Sequence, residues 1–346
     1  MYNKEGGRLI TPEHQTPNMK LLVGLSLFVA LSAGSPIEIT IPLDNSHYVE
    51  GVSRYIWMPD GNDVPQLVDL QAPAEPLRGA ENQYLLFTRS NPENPQELKY
   101  NDRESVRNSN YNRNWPIVVI VHGWTGDINS KVNPYVRDAM LEVGNYNVIA
   151  LDWHKAAGGL YTSAIRNVFD TGESLGFFLD WLIFSFGGSW NNVHLVGYSL
   201  GAHVVANVGR MILRRPGRIT GLDPAGPQFG NNPDALNIQD AAYVECMATD
   251  GGMMGIFDPI CQANFYPNGG RHPQPGCDSN SCSHSRAYEL YAASVRYNRF
   301  VGRQCASLDD AENQRCDGAE FLMGNADLNK RRFGLFGLKT EAAWPF

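Results

Sequence analysis

The sequence predicts an α/β fold in which a mostly parallel central sheet is covered by helices. Apolar runs of strand length follow one another along the middle of the chain, at Ile117–Val121, Asn147–Asp152, 193–196 and 219–222. Segments with helical apolar spacing alternate with the later runs, at 171–186 and 202–213. The 346 residues are 43% hydrophobic and 18% charged, which suits a large core and is too apolar for a disordered chain. Such alternation is typical of a parallel sheet with helices on its faces.

The first element in chain order is a short apolar segment near the N-terminus. Met19 and Lys20 precede a mostly apolar run over 21–31 and small residues over 32–35, which is the pattern of a secretory signal peptide. A membrane span needs roughly 20 apolar residues, so we expect no transmembrane segment. Residues 1–18 are polar, and we interpret them as an upstream extension before a natural start at Met19. The expected organisation is an extension over 1–18, a signal peptide over 19–34 and one domain over 35–346.

The next part, residues 35–110, is rich in turns and has short strand-like runs at 37–41 and 84–88. The apolar run 177–186 could be a membrane-surface helix, but its short length and an interrupting aspartate favour a core helix against the sheet. A basic cluster follows the second helical segment and consists of Arg210, Arg214, Arg215 and Arg218. Its position predicts a solvated face that complements the dipole at a helix C-terminus.

Charge and cysteine content narrow the possible functions. The formal charge of −8, from 28 basic and 36 acidic residues, argues against a nucleic-acid partner. Six cysteines lie in the last third of the chain, at positions 246, 261, 277, 282, 305 and 316. Secretion would permit them to form disulfides, and six cysteines allow about 15 connectivities.

The catalytic prediction begins with a serine between two glycines. The segment G-Y-S-L-G at 197–201 fits the pattern G-x-S-x-G, which alone is weak in a chain with 34 glycines. Here it follows a strand-like run and precedes a helical one, which is the context of a nucleophile elbow rather than of an ordinary strand–helix turn. Ser199 is therefore the candidate nucleophile.

A serine nucleophile needs a base, and the base needs a carboxylate that orients it. On this topology the order is Ser, then Asp or Glu, then His. Asp223 follows the run 219–222 and is the preferred acid, whereas Asp250 and Asp258 follow less strand-like runs. His284 in C-S-H-S-R is the preferred base, because a neighbouring disulfide would fix its loop. The alternative base, His272, lies in a segment rich in proline and glycine with nothing evident to orient it.

Two backbone N–H groups should hold the oxyanion. One is expected from Leu200, which follows the nucleophile, and the other from a loop after an early strand. The run 119–124, V-I-V-H-G-W, is such a strand end and makes Trp124 the second donor. We expect His122 to brace this loop rather than to act as a base.

Six motifs together resemble the pancreatic-type lipase family, most closely its short insect members, which include the vespid venom phospholipases A1. They are H-G-W-T-G at 122–126, G-Y-S-L-G-A-H at 197–203, L-D-P-A-G-P at 222–227, N-F-Y-P-N-G-G at 264–270, Q-P-G-C at 274–277 and C-S-H-S-R at 282–286. The resemblance covers residues 115–320 and implies an α/β-hydrolase fold. It also implies hydrolysis of lipid carboxylic esters by a triad of Ser199, Asp223 and His284, with no cofactor.

The resemblance also implies the disulfides and the form of the lid. The implied pairs are Cys246–Cys261, Cys277–Cys282 and Cys305–Cys316. In the family the second pair encloses a lid, which here is reduced to the four residues 278–281. The alternative is a zinc site built from Cys277, Cys282 and His284, which lacks a second cysteine pair. We also expect no C-terminal β-sandwich beyond the single domain.

The leading hypothesis is a secreted, extracellular lipase or phospholipase A1 that contacts lipid surfaces transiently. The alternative from another class is a non-catalytic yolk-storage or lipid-binding protein on the same fold. Storage relatives lack the triad, which this sequence retains. Phospholipid, galactolipid and neutral glyceride substrates are not separated by the sequence.

Overall fold

The computed structural model describes residues 26–29, 37–40, 44–75 and 82–346. The predicted extension over 1–18 and most of the predicted signal peptide over 19–34 lie outside the described residues. Within the segment 1–43, which forms a unit of its own, strand β1 (Ser26–Val29) pairs antiparallel with β2 (Ile37–Thr40).

The second unit, Asp44–Phe346, begins with short elements. These are β3 (Tyr55–Pro59), β4 (Pro65–Asp69), β5 (Gln83–Phe87), β6 (Gln96–Leu98) and α1 (Arg103–Arg107). Strands β3 and β4 form a separate antiparallel hairpin. The sequence predicted β5 within one residue at each end but missed the hairpin.

The central part of the chain contains the alternating elements. They are β7 (Ile117–Val121), α2 (Val132–Val143), β8 (Asn147–Asp152), α3 (His154–Ala157), α4 (Tyr161–Phe186), a 3-10 turn (Trp190–Asn192), β9 (Val193–Tyr198), α5 (Leu200–Asn207) and β10 (Arg218–Leu222). All four predicted apolar runs are strands, and each of them is fully buried. Helix α4 begins ten residues earlier than predicted, and α5 ends six residues earlier.

The C-terminal part completes the fold. Its elements are β11 (Val244–Met247), β12 (Ala263–Pro267), α6 (Asn280–Tyr297), β13 (Val301–Cys305), α7 (Leu308–Glu312), β14 (Glu320–Leu322) and β15 (Gly334–Leu338). The sequence did not predict these strands, because most are short or carry polar residues and glycines.

The described residues form one central sheet of eleven strands in the order β14-β13-β15-β12-β11-β10-β9-β7-β8-β5-β6. From β15 to β8 every neighbouring pair is parallel. The two strands at each edge are antiparallel. The prediction of a mostly parallel sheet in an α/β-hydrolase fold is therefore confirmed. Because β7, β9 and β10 are adjacent, the loops after their carboxyl ends meet at one edge.

Helices cover both faces of the sheet. One core contains side chains of α4 and α5, and the other contains side chains of α2 and α6. Gly172 and Gly176 allow α4 to approach α5 closely, since a Cβ there would lie 2.4 Å from the Val204 carbonyl oxygen and 2.1 Å from that of Val208. Phe178 and Leu182 are fully buried, so the prediction of a core helix at the end of α4 is confirmed. No helix in residues 44–75 and 82–346 combines the length and apolarity that crossing a membrane requires.

The prediction of a solvated basic cluster is wrong for Arg218. This side chain is fully buried and forms an ion pair with Glu245. The reason is that β10 begins at Arg218, which places the side chain inside the sheet rather than beyond a helix end. Arg210 is also only partly exposed and forms an ion pair with Asp240.

Candidate active site

Ser199 lies at a sharp turn between β9 and α5. Its φ of 54° and ψ of −122° are outside the regions that serine ordinarily adopts, as expected of a strained elbow. Glycine is required on both sides of this turn, because a side chain would collide with neighbouring backbone. A Cβ on Gly197 would lie 2.3 Å from the Gly201 carbonyl oxygen, and a Cβ on Gly201 would lie 2.2 Å from that of Val121. Glycine at both positions therefore allows the strand and helix backbones to come into direct contact at the turn.

Asp223 directly follows β10, the neighbour of β9 in the sheet. The backbone N–H of Ser199 donates to the Leu222 carbonyl at 3.1 Å, which ties the two strand ends together. The carboxylate of Asp223 is fully buried and accepts backbone hydrogen bonds from Thr249 at 2.7 Å and Asp250 at 3.1 Å. These donors compensate for part of the cost of burying the charge.

Gly255 determines where the Asp223 carboxylate can lie. A Cβ on Gly255 would stand 2.4 Å from Asp223 Oδ1. We expect Gly255→Ala to displace the carboxylate and to lower kcat on a soluble ester on the order of 10²-fold, the cost of about 1 Å of misplacement. Gly230→Ala is the matched control, since nothing lies within 4 Å of a Cβ there. Wild-type kcat in folded Gly255→Ala would show that the carboxylate does not need this position.

His284 and Asp223 are in direct contact. His284 Nδ1 lies 2.6 Å from Asp223 Oδ2, and both side chains are fully buried. The ring of His284 also packs on that of Tyr198, with centroids 4.8 Å apart, which places it beside the elbow. Among the residues that the structure describes, none forms a hydrogen bond to Nε2 of His284. That nitrogen is available to accept a proton from a hydroxyl.

The expectation that His284 lies in a loop is wrong. It is the fifth residue of α6, whose first turn is tied down by the Cys277–Cys282 disulfide. Ser279 caps the helix, because its side chain accepts a hydrogen bond from the Cys282 N–H. Asn280 adds a further tie by donating to the Asp250 carboxylate at 2.8 Å. A capped helix holds the imidazole more firmly than a loop would.

The alternative acids occupy other positions. Asp258 is exposed to solvent. Asp250 is buried beside Asp223, and its side chain accepts from Asn280 and from the Met254 N–H at 3.0 Å. Burial, together with the negative charge of Asp223, raises the pKa of Asp250 well above its usual range. A neutral carboxyl group there avoids a second buried charge.

The alternative base has partners of its own. His272 Nδ1 lies 2.9 Å from Ser283 Oγ, so the expectation that nothing orients it is wrong. Burial lowers the pKa of His272.

A further buried histidine, His203, bonds through Nε2 to the Ala225 carbonyl at 2.8 Å, and burial lowers its pKa to about 3. It therefore stays neutral and supports the loop after Asp223.

The two expected oxyanion donors are Leu200, which follows Ser199, and Trp124, which lies in a loop next to it. A Cβ on Gly123 would stand 3.0 Å from Ser199 Cβ, so the loop that carries Trp124 abuts the serine. Neither the Trp124 N–H nor the Leu200 N–H donates to an acceptor within residues 44–75 and 82–346. His122 contacts the Gly123 carbonyl at 2.9 Å and accepts from a backbone N–H at 3.2 Å, contacts that brace the loop.

The cysteines form three disulfides, Cys246–Cys261, Cys277–Cys282 and Cys305–Cys316. These are the pairs that the resemblance implies, and Cys277 and Cys282 are therefore not available as zinc ligands. In the described part of the chain, no group of three or more His, Cys, Asp or Glu side chains is arranged to hold a metal ion.

Comparison with known proteins gives a family. The family model described as Lipase matches residues 61–321 of this chain. The chain belongs to the lipase family. Pancreatic lipase-related protein 2 from Homo sapiens is 31% identical over 264 residues, which are 68% of this chain and 56% of that protein. Phospholipase A1 member A from Rattus norvegicus is 36% identical over 67% of this chain and 52% of its own length. Pancreatic triacylglycerol lipase from Oryctolagus cuniculus is 32% identical over 67% of this chain and 56% of its own length. The chain thus spans little more than half the length of these relatives.

In this chain, several contacts around the site were not found from the sequence. Thr249 and Asp250 supply the N–H groups to Asp223, Gly255 leaves room for it, and Asp63 contacts the helix that carries His284. For Thr249, Asp250 and Gly255, the sequence did offer a sign of a special backbone, the glycine-rich segment G-G-M-M-G at 251–255. Asp63 had no signal beyond a turn-rich local sequence, because its partners on α6 are 218 to 225 residues away.

Proposed function

We propose that this chain is a secreted serine esterase, a lipase or phospholipase A1, which hydrolyses carboxylic ester bonds of glycerolipids through an acyl-enzyme. The observation that carries the proposal is the buried contact between His284 and Asp223 beside the strained turn of Ser199. A serine at such a turn, a histidine and a carboxylate in this arrangement are the three parts of a Ser-His-Asp catalytic triad.

In the proposed mechanism, His284 acts first as a base and then as an acid in each half-reaction. His284 Nε2 takes the proton of Ser199, whose Oγ attacks the ester carbonyl carbon, while Asp223 orients the imidazole and stabilises its charged form. The free N–H groups of Trp124 and Leu200 hold the oxygen that becomes negative. His284 then gives the proton to the leaving alcohol. Water, deprotonated by the same histidine, attacks the acyl-enzyme carbonyl. The bond between the acyl group and Ser199 Oγ then breaks, His284 returns its proton to that oxygen, and the fatty acid is released.

The surroundings of the site support transient contact with a lipid surface. Exposed aliphatic side chains lie next to residues of the site in sequence. Val64, which is 51% exposed, follows Asp63, and Leu160, which is 40% exposed, follows Gly159, whose carbonyl accepts a hydrogen bond from the Trp124 indole. We take these two exposed side chains as the candidate contacts with acyl chains.

The short Cys277–Cys282 loop leads to a kinetic prediction. It encloses four residues, and two of these already belong to the first turn of α6. Such a segment is too short to form an amphipathic helix that opens at an oil–water interface. We therefore expect activity on a partly soluble glyceride to rise smoothly through the solubility limit. Initial rates across that limit check this, and a steep jump there would contradict it.

Two assays test the proposed function. Labelling with a fluorophosphonate probe, which reacts with activated serines, should modify the wild-type protein at Ser199. Folded protein that never reacts would favour the storage or binding alternative. Parallel assays on phosphatidylcholine and a triglyceride would then identify the substrate class, since the relatives include both a triacylglycerol lipase and a phospholipase A1.

Secretion is the remaining part of the proposal. The apolar run near the N-terminus and the three disulfides support an extracellular protein. Expression in a secreting cell and N-terminal sequencing of the medium protein should give a mature start near residue 35. An intracellular, unprocessed product would contradict both the signal peptide and the proposed start at Met19.

A further inference from the structure

The β3–β4 hairpin is outside the central sheet, yet its turn reaches the candidate active site. The turn spans residues 60–64 between Pro59 and Pro65, which pair across the hairpin. Pro59, Asp60, Gly61 and Asp63 line the same small cavity as Ser199. A turn contributed by a separate sheet therefore forms part of the wall around the nucleophile.

One side of this turn contacts the loop that carries Trp124. The Gly61 N–H donates to Thr125 Oγ1 at 2.8 Å. The approach is close, because a Cβ on Gly61 would lie 2.5 Å from the Thr125 carbonyl oxygen. Thr125 has a φ of 52°, a conformation that needs support from its surroundings. The hairpin provides such support directly beside an expected oxyanion donor.

The other side of the turn contacts the helix that carries His284. Asp63 accepts hydrogen bonds from Ser281 Oγ to its backbone carbonyl at 2.8 Å and from Ser285 Oγ to its carboxylate at 2.7 Å. Tyr288 OH lies 3.4 Å from the same carboxylate. These three α6 residues are spaced four and three apart and so lie on one face of the helix. His284 lies between the first two contacts.

Of the contacts of the Asp63 carboxylate, the hydrogen bond that it accepts from Ser285 positions α6 more firmly than the ion pair with Lys131 does. Lys131 also contacts it, at 2.6 Å, but the Lys131 side chain is 58% exposed. Exposed ion pairs are screened by solvent and contribute little. Ser285 is buried, and its hydroxyl also lies 3.3 Å from the Tyr198 hydroxyl, next to the nucleophile.

We propose that Asp63 is a positioning residue for the ester hydrolysis, an inference that rests on the proposed function. Asp223 fixes His284 through Nδ1, but the place of the ring also depends on the first turn of α6. Asp63 holds the start of α6 through Ser281 and Ser285, and Gly61 in the same hairpin turn holds the oxyanion loop. A single five-residue turn thus sets the distance between the proton acceptor and the group that holds the developing charge.

The test compares two aspartates of the same hairpin. Asp69, at the other end of β4, forms an ion pair with Arg54 at 2.7 Å and does not line the Ser199 cavity. Both are replaced by alanine, and kcat and KM are measured on a soluble ester well below the unfolding temperature. We expect Asp63→Ala to lower kcat by about 10- to 100-fold with KM within about twofold, because misplacement acts on the transition state. Asp69→Ala should retain wild-type kcat.

A double-mutant cycle with Ser285 separates positioning from general loss of stability. Ser285→Ala should lower kcat in part, and the losses in the double variant should be less than additive, because both changes break the same hydrogen bond between Ser285 and Asp63. Asp63→Asn keeps an oxygen that can accept from Ser285 and should lie between wild type and Asp63→Ala. It also serves as the test if Asp63→Ala does not fold.

Three outcomes would overturn the inference. They are wild-type kcat in folded Asp63→Ala, an equal loss in Asp69→Ala, and fully additive losses of Asp63→Ala and Ser285→Ala. Wild-type protein that neither hydrolyses esters nor reacts with the fluorophosphonate probe would instead refute the proposed function. Normal wild-type activity with an unaffected Asp63→Ala refutes the positioning role alone.

Discussion

Replacing Ser199 with alanine is expected to reduce ester turnover by roughly 10⁴-fold or more, because no acyl-enzyme can form without the hydroxyl. The fold should be retained. The elbow depends on the space left by Gly197 and Gly201, and alanine at position 199 is smaller than serine. The measurement is kcat on a soluble ester, together with fluorophosphonate labelling, which should be absent in the variant.

An exposed serine provides the control for this experiment. Ser90 lies in a surface turn, so Ser90→Ala should hydrolyse the ester and take the label at wild-type rates. Residual activity of Ser199→Ala within about tenfold of wild type would identify a different nucleophile, since losing the attacking group costs far more than that. Circular dichroism of both variants checks that the fold is unchanged.

Replacing Glu245 with glutamine is expected to lower the free energy of unfolding by about 3–5 kcal/mol. Glu245 is fully buried and forms ion pairs with Arg218 and with Lys330, whose Nζ lies 2.7 Å away. Both cations are also buried. Removing the carboxylate charge leaves two buried cations without an anion, and backbone carbonyls such as that of Gly324 compensate only partly.

Denaturant unfolding of the wild type and two glutamine variants checks this stability prediction. Glu320→Gln is the matched control, because Glu320 forms an ion pair with Arg303 in which both side chains are more than half exposed. It should change the stability by less than about 0.5 kcal/mol. Equal midpoints for Glu245→Gln and the wild type would show that the buried cluster is not a significant source of stability.

The sequence by itself determined the class of fold and the candidate catalytic residues. The strand-length runs at Ile117–Val121 and Asn147–Asp152 are mostly apolar, as strands covered by helices on both faces usually are, and both are buried strands in the structure. Ser199 could be placed at a strand–helix turn because glycines on both sides are a local steric requirement. Asp223 could be chosen because it directly follows the next predicted strand, 219–222.

The tertiary structure decided what depends on contacts between distant segments. Three features could not be read from local pattern: His284 lies in a capped helix, Arg218 is buried with Glu245, and Asp63 contacts Ser285 across 222 residues. Periodicity reports which face of an element is apolar, but not which neighbour covers that face. A buried charge or a positioning hydrogen bond becomes recognisable only when its partner is in place, because desolvation and geometry are properties of the pair.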